Sequence, residues 1–329
     1  MGKPKVKGIN SLMAYLRDKH KITINGSSQK NKLRNIGYFH GYKGYRFFNN
    51  PSNRIAYSDF REIVEINDFD MKLKALFYPQ IMFIETALKN YILETVLDEG
   101  SSESFNVIYT KLLTDYKSYP TNGEDYSKAI KKRLDLRNTI YGVLTREYKN
   151  NSRIVQNYYH KDESVPIWGI FELISLGEFG AFVSCLDKNI RKKVSLSLSL
   201  NQSCDPQAKL TQTIIYTIKD LRNSIAHNDV IFDTRFRKSN VGQALIRCLQ
   251  FDTKVSNIGF DSIVDYLVLL VYLLKKLKVS KTEMDRLVRD FESSIENLRK
   301  KIPVSIYSKI VHTDTRNKLC TLFKFIKSN

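Results

Sequence analysis

The chain has 329 residues, in which 53 lysines and arginines outnumber 34 aspartates and glutamates to give a formal charge of +19. This length is enough for one large or two modest domains with a substantial core. The excess of cations favours a polyanionic partner, and nucleic acid fits it better than an anionic membrane surface. We expect no signal peptide, because no apolar run follows Met1. We expect no membrane anchor either, because the most apolar stretch, residues 263–274, is too short to span a bilayer.

The cysteines form no recognisable framework. They are widely spaced and include no CxxC pair: Cys185, Cys204, Cys248 and Cys320. That spacing excludes the common zinc-finger patterns and a disulfide scaffold. It predicts a protein of the reducing cytoplasm whose cysteines are small, buried or half-buried side chains.

Helical periodicity dominates the chain and predicts an all-α protein. Residues 1–60 form a basic, aromatic N-terminal segment, and residues 61–329 a helical domain with a polar, basic insertion near residues 117–165. Residues 69–94 predict one long helix, which Pro79 can kink. Three further helices are predicted at roughly residues 243–252, 260–278 and 281–301.

The N-terminal segment interleaves cations with aromatic rings between residues 33 and 48. Such a pattern suits stacking on bases and contact with phosphates. The alternative is that the rings belong to the core, and we expect this of most of them. The cations are therefore the predicted RNA-binding groups of this segment: Lys32, Arg34, Lys43 and Arg46.

A predicted helix with apolar residues between Ile214 and Ile225 carries the most informative local pattern. Isoleucine and leucine recur at helical spacing and predict a buried stripe, from which Arg222, Asn223 and His227 depart. Asn223 and His227 lie one turn apart on one face, whereas Arg222 and His227 are separated by roughly 140° around the axis. A long arginine side chain can bridge that angle, so the three predict one cleft rim. The loop that follows adds three predicted RNA-binding cations: Arg235, Arg237 and Lys238.

This trio suits RNA cleavage without a metal ion or another cofactor. The 2′-OH of RNA is a built-in nucleophile, a histidine can act as base or acid, and an arginine can stabilise the phosphorane. If one histidine type supplies both base and acid, two copies must meet, which predicts a homodimer with a composite site. The alternative is a chance spacing in which His227 serves only the helix dipole.

Four blocks resemble known families. The run from Arg222 to His227 resembles the Arg-polar-x-x-x-His signature of HEPN ribonucleases. Residues 36–47, 84–89 and 166–177 resemble the bacterial Abi abortive-infection family of the AbiD/AbiF type, which usually has arginine where Lys89 stands. The family often has a cation shortly after the histidine, whereas Asn228 and Asp229 follow here.

The resemblance implies a HEPN-type helical bundle with extra C-terminal helices. It also implies a cytoplasmic bacterial endoribonuclease of phage defence or toxin–antitoxin type, independent of metal and restrained by a small non-coding RNA. Arg222 and His227 would be its catalytic pair and Asn223 the assisting group. Glu85 and Lys89 fit an ordinary i,i+4 ion pair, and Glu172 either a surface carboxylate or a group facing Arg222. A non-catalytic RNA-binding HEPN protein and a DNA-binding regulator are the alternatives.

Overall fold

A computed structural model describes residues 8–328 and contains 15 α-helices and no β-strand within that range, which confirms the all-α prediction. Short 3₁₀ turns occupy Asp115–Ser118 and Gln202–Cys204, and a π-helical turn occupies Phe39–Lys43. The helices are α1 Ile9–His20, α2 Gly26–Tyr38, α3 Phe60–Gly100, α4 Phe105–Lys111, α5 Glu124–Lys149, α6 Arg153–Tyr159, α7 Ile167–Leu173, α8 Leu176–Cys185, α9 Lys188–Ser197, α10 Leu210–Ala226, α11 Gln243–Thr253, α12 Ile263–Lys276, α13 Lys281–Lys301, α14 Val304–Ile310 and α15 Thr315–Lys327.

The 41-residue helix α3 is the centre of the molecule and packs against α9, α10, α12 and α13. It begins in a capping box, in which Asp59 accepts from the Arg61 amide at 2.7 Å and Glu62 accepts from the Asp59 amide at 3.2 Å. The predicted helix over residues 69–94 is confirmed and is longer at both ends. Pro79 lies inside it without ending it.

Helix α10 lies between α3 and α8, and its predicted apolar stripe is buried as expected. A glycine on α8 allows the close approach of these two helices. A Cβ at Gly180 would lie 2.9 Å from a ring carbon of Tyr216 on α10. Helices α3 and α10 run antiparallel, because Lys74 contacts Asn228 while Glu85, further along α3, contacts the earlier Arg222.

The stretch predicted as a polar insertion contains two regular helices. Helix α5 spans 26 residues and packs against α7 and α8, and α6 packs against α5. The buried side chains of α5 are few and include Leu136, Ile140 and Val143. The polar composition therefore marks a helix with one narrow buried stripe.

Half of the six rings between residues 33 and 48 are core residues, and Tyr38 and Phe47 are partly buried. Tyr42, Tyr45 and Phe48 are buried, whereas Phe39 is half-exposed. The three predicted C-terminal helices correspond to α11, α12 and α13. None of the helices between residues 8 and 328 combines the length and apolar composition that crossing a bilayer requires.

Candidate functional site

The C-terminal end of α10 is fixed by a Schellman motif. The Asp229 amide donates to the Ser224 carbonyl at 2.8 Å, and the Asn228 amide donates to the Ile225 carbonyl at 3.1 Å. Asn228 has φ of 56°, a left-handed conformation that asparagine tolerates better than most residues. His227 is the C-cap, its amide bonded to the Asn223 carbonyl at 2.9 Å. The backbone therefore holds an exposed imidazole in a defined turn.

Arg222 is held from two sides. Its Nη1 donates to the Asn223 side-chain oxygen at 3.2 Å, and its Nε lies 3.8 Å from Glu85 Oε2 on α3. Neither Nε nor Oε2 makes a hydrogen bond within residues 8–328. The guanidinium therefore lies beside a buried carboxylate with its Nε N–H unbonded, while a third of the side chain is exposed.

Glu85 also pairs with Lys89 at 3.3 Å, and Lys89 donates to the Ile174 carbonyl just after α7 at 3.2 Å. This ion pair has the i,i+4 spacing expected from the sequence, but it is largely buried, not on a solvated face. Glu172, the other candidate carboxylate, is exposed. Glu85 is therefore the acidic group that faces Arg222.

We expect Glu85→Gln to lower the free energy of unfolding by about 2 kcal/mol, because the change leaves Lys89 and Arg222 without their carboxylate. Urea unfolding of the variant and of the wild type measures the difference. Glu172→Gln is the matched control at an exposed position and should shift the stability by less than about 0.5 kcal/mol. Equal stabilities of the two variants would show that Glu85 contributes no pairing energy.

A buried ion pair supports the turn from the other side. Lys74 lies 2.8 Å from Asp70 Oδ2 and also donates to Asn228 Oδ1 at 2.8 Å. The other Asp70 oxygen accepts from the amides of Ile231 and Phe232 at 2.9 and 2.8 Å. Burial raises the pKa of Asp70, and the neighbouring Lys74 acts against that shift. The turn after α10 is thereby fixed to α3 through both side-chain and backbone atoms.

A second histidine lies beside the turn. His40, in the π-helical turn, places Nε2 3.4 Å from Nδ2 of the Asn228 side-chain amide. Burial, and then the positive charge of Lys74, lower the pKa of His40. A neutral imidazole can accept from that amide, whose oxygen is already bonded to Lys74. His40 and Asn228 thus form one network with Lys74.

Sequence reasoning missed His40, Asp70, Lys74 and the bonding role of Asn228. One signal was available, because Asp70 and Lys74 occupy positions one turn apart on the apolar face of α3. A charge pair at such positions must be buried and bonded. His40 offered no signal, since its partner is 188 residues away in the chain.

The predicted RNA-binding cations occupy different environments. Arg34, Lys43 and Lys238 are exposed, and Arg46 is partly exposed. Lys32 lies 3.4 Å from Asp68 in a surface pair. Arg235 and Arg237 serve the fold. Arg235 binds buried Asp233 and the carbonyls of Gly44 and Phe47, and Arg237 binds the Gly259 carbonyl and Asp261 at 2.9 and 2.8 Å. RNA contact by all seven stays a prediction.

The site combines a guanidinium, an amide and two imidazoles with a basic chain. Within residues 8–328 no group of three or more His, Cys, Asp or Glu side chains has the arrangement of a metal centre. A guanidinium such as that of Arg222 can bind an anion, and an imidazole can transfer a proton.

These features define a basic, all-helical protein with an arginine, an amide and a histidine at one helix end. The family model of Abi-like proteins matches residues 31–233, more than half of the chain, so the chain belongs to the Abi-like protein family. Arg222, Asn223 and His227 lie inside that range, whereas Arg235, Arg237 and Lys238 follow it. The family suggests a role in abortive infection. No curated protein and no solved structure matches the chain.

Proposed function

We propose that this protein is a HEPN-type endoribonuclease of abortive infection that cleaves RNA without a metal ion. The observation that carries the proposal is the end of α10, where a third of the Arg222 side chain is exposed and His227 is exposed in a turn that backbone hydrogen bonds fix. The +19 charge supports a polyanionic substrate, and RNA is the polyanion with an internal nucleophile.

In the proposed reaction a 2′-oxygen attacks the adjacent phosphorus while the bond to the 5′-oxygen breaks. A base takes the proton of the 2′-OH, and an acid gives a proton to the departing 5′-oxygen. Arg222 binds the non-bridging oxygens and stabilises their growing charge. The products are a 2′,3′-cyclic phosphate and a 5′-OH end, and Asn223 holds Arg222 in position through its side-chain oxygen.

His227 supplies the base or the acid, and a second copy supplies the other. One histidine cannot serve as base and acid in the same step, so one helix end does not complete the site by itself. An exposed His227 is available to a partner helix in a symmetric dimer. We further propose that a small non-coding RNA binds the basic surface and restrains the enzyme.

The test is incubation of the purified protein with RNA in excess EDTA, followed by analysis of the ends. Wild-type protein should produce cyclic phosphate ends, and His227→Ala should lose at least about 100-fold in rate. Loss of wild-type activity in EDTA, or undiminished cleavage by the variant, would sink the proposal.

A non-catalytic RNA-binding protein is the second candidate. Its supporting observation is that the Arg222 side chain is bonded to Asn223 and faces Glu85. It predicts tight, salt-dependent RNA binding with no cleavage at any pH. The same incubation, read for both binding and product ends, separates the two candidates.

A further inference from the structure

A cavity of about 210 Å³, lined by both polar and apolar atoms, lies along α10. Thr213, Tyr216, Thr217 and Asp220 of α10 form one wall, and Tyr266 of α12 and the loop 237–242 form the rest. The cavity exceeds the space of single water molecules and is smaller than a pocket for a drug-sized ligand. A single planar ring system suits its volume.

The wall is rich in hydrogen-bond acceptors. The hydroxyls of Thr213 and Thr217 donate hydrogen bonds to helix carbonyls at 3.0 and 2.8 Å, so their oxygen lone pairs remain free to accept. Asp220 Oδ1 is buried and makes no hydrogen bond within residues 8–328, although Lys219 Nζ lies 3.1 Å away as an ion pair. The ammonium lies within ion-pair distance but outside hydrogen-bond geometry, so this oxygen keeps an unused lone pair.

Tyr266 adds one hydroxyl to this wall. The residue is 1% exposed, and its hydroxyl has no partner within residues 8–328. Burial raises the pKa of Tyr266, so the hydroxyl keeps its proton. It can donate to a ligand oxygen while the carboxylate accepts from ligand nitrogens. Buried polar groups of this kind need a partner, and the two face one cavity.

The position of the cavity relates it to the proposed reaction. Asp220 and His227 are seven residues apart, so their side chains leave α10 within about 20° of each other and about 10 Å apart along the axis. A base attached to a ribose next to the cleaved bond spans such a gap. Tyr266 and residues 237–242 lie outside the range matched by the family model. The cavity therefore lies between α10, which the family model matches, and elements that follow the matched range.

We propose that this cavity is a base-recognition pocket for a guanine that flanks the cleaved bond. The inference rests on the proposed function and adds to it the base specificity. Asp220 accepts from the N1–H and N2 amine of guanine, and Tyr266 donates to O6. Guanine alone among the four bases presents two adjacent kinds of N–H donor to one carboxylate. Adenine and cytosine offer one amino group beside an acceptor, and uracil a single N–H.

The experiment measures binding independently of cleavage. Short RNAs that differ at one position and carry a 2′-O-methyl group there are titrated against the whole protein by fluorescence anisotropy. The guanine RNA should bind on the order of 10- to 100-fold tighter than those with adenine, cytosine or uracil. Inosine, which lacks the N2 amine, should lose part of that preference.

Variants assign the preference to the cavity. Asp220→Asn should bring the guanine RNA to the affinity of the others, and Tyr266→Phe should lose a smaller part. Asp125→Asn, an exposed carboxylate on α5, is the matched control and should change nothing. Thermal unfolding confirms that each variant is folded.

Equal affinity of the wild type for the guanine and inosine RNAs, or an unchanged preference in Asp220→Asn, would overturn the proposal and leave the cavity to solvent. Unmodified RNAs then locate the cut. Preferential cleavage next to guanine by the wild type, with no such preference in Asp220→Asn, supports both proposals. A guanine preference in binding without cleavage of any RNA supports the pocket and removes the proposed nuclease. Cleavage of RNA without any base preference supports the proposed nuclease and removes the pocket.

Discussion

Lys74→Met is expected to lower the free energy of unfolding by about 3–5 kcal/mol, a large share of the stability of a typical domain. The side chains of Lys74 and Asp70 are 5% and 0% exposed and lie 2.8 Å apart. Removal of the lysine leaves a carboxylate in the core with only neutral donors around it. Urea denaturation measured by far-ultraviolet circular dichroism gives the change directly.

The chain supplies a matched control for this variant. Glu124 and Lys128 form an ion pair of the same i,i+4 spacing and 2.7 Å length, but their side chains are 82% and 65% exposed. Lys128→Met should therefore cost only about 0.3–0.5 kcal/mol. Adding Asp70→Asn to Lys74→Met should recover part of the loss, since the charge goes while an oxygen still accepts from the backbone. A loss of under about 1 kcal/mol in Lys74→Met would show that the pair does not hold α3 to the turn.

The success of the fold prediction follows the strength of the local pattern. The stripe of α10 is periodic, and residues 263–274 of α12 are apolar almost throughout, so both helices can be predicted from sequence alone. Residues 117–165 gave a weaker signal, because α5 buries a narrow stripe and exposes large side chains such as Leu134 and Tyr141. The polar composition of this stretch reflects the exposed surface of a regular helix, not an absence of regular structure.

The candidate site divides in the same way. Arg222, Asn223 and His227 lie within six consecutive residues, so helical geometry alone related them. The side chains that contact this helix end come from elsewhere. Glu85 of α3 faces Arg222, and Lys74 of α3 and His40 of the π-helical turn bond to Asn228. Tertiary packing brings these side chains together, and a single sequence does not encode those distances locally. Arg235 shows the same limit, since no pattern in the sequence indicates that this cation is bonded to buried Asp233, and its contact with RNA stays a prediction.

Arg222→Ala should reduce RNA cleavage on the order of 100- to 1,000-fold, the cost of removing one charged donor from a transition state. Stability should change little by comparison, because a third of the Arg222 side chain is exposed and its Nε makes no hydrogen bond within residues 8–328. Arg222→Lys keeps the charge without the planar fork and should recover only part of the rate. Initial rates at saturating RNA, with binding measured separately, distinguish lost catalysis from lost affinity.

A second Arg-Asn pair in the chain provides the control. Arg137 and Asn138 repeat the local sequence of Arg222 and Asn223 on exposed α5, with Gly142 where the histidine would stand. Arg137→Ala removes the same charge from the same chain, so any general electrostatic effect on RNA binding is shared by the two variants. Cleavage should fall only in Arg222→Ala. If both variants lose activity equally and recover it at lower salt, Arg222 contributes to RNA affinity alone, and the catalytic assignment fails at its central residue.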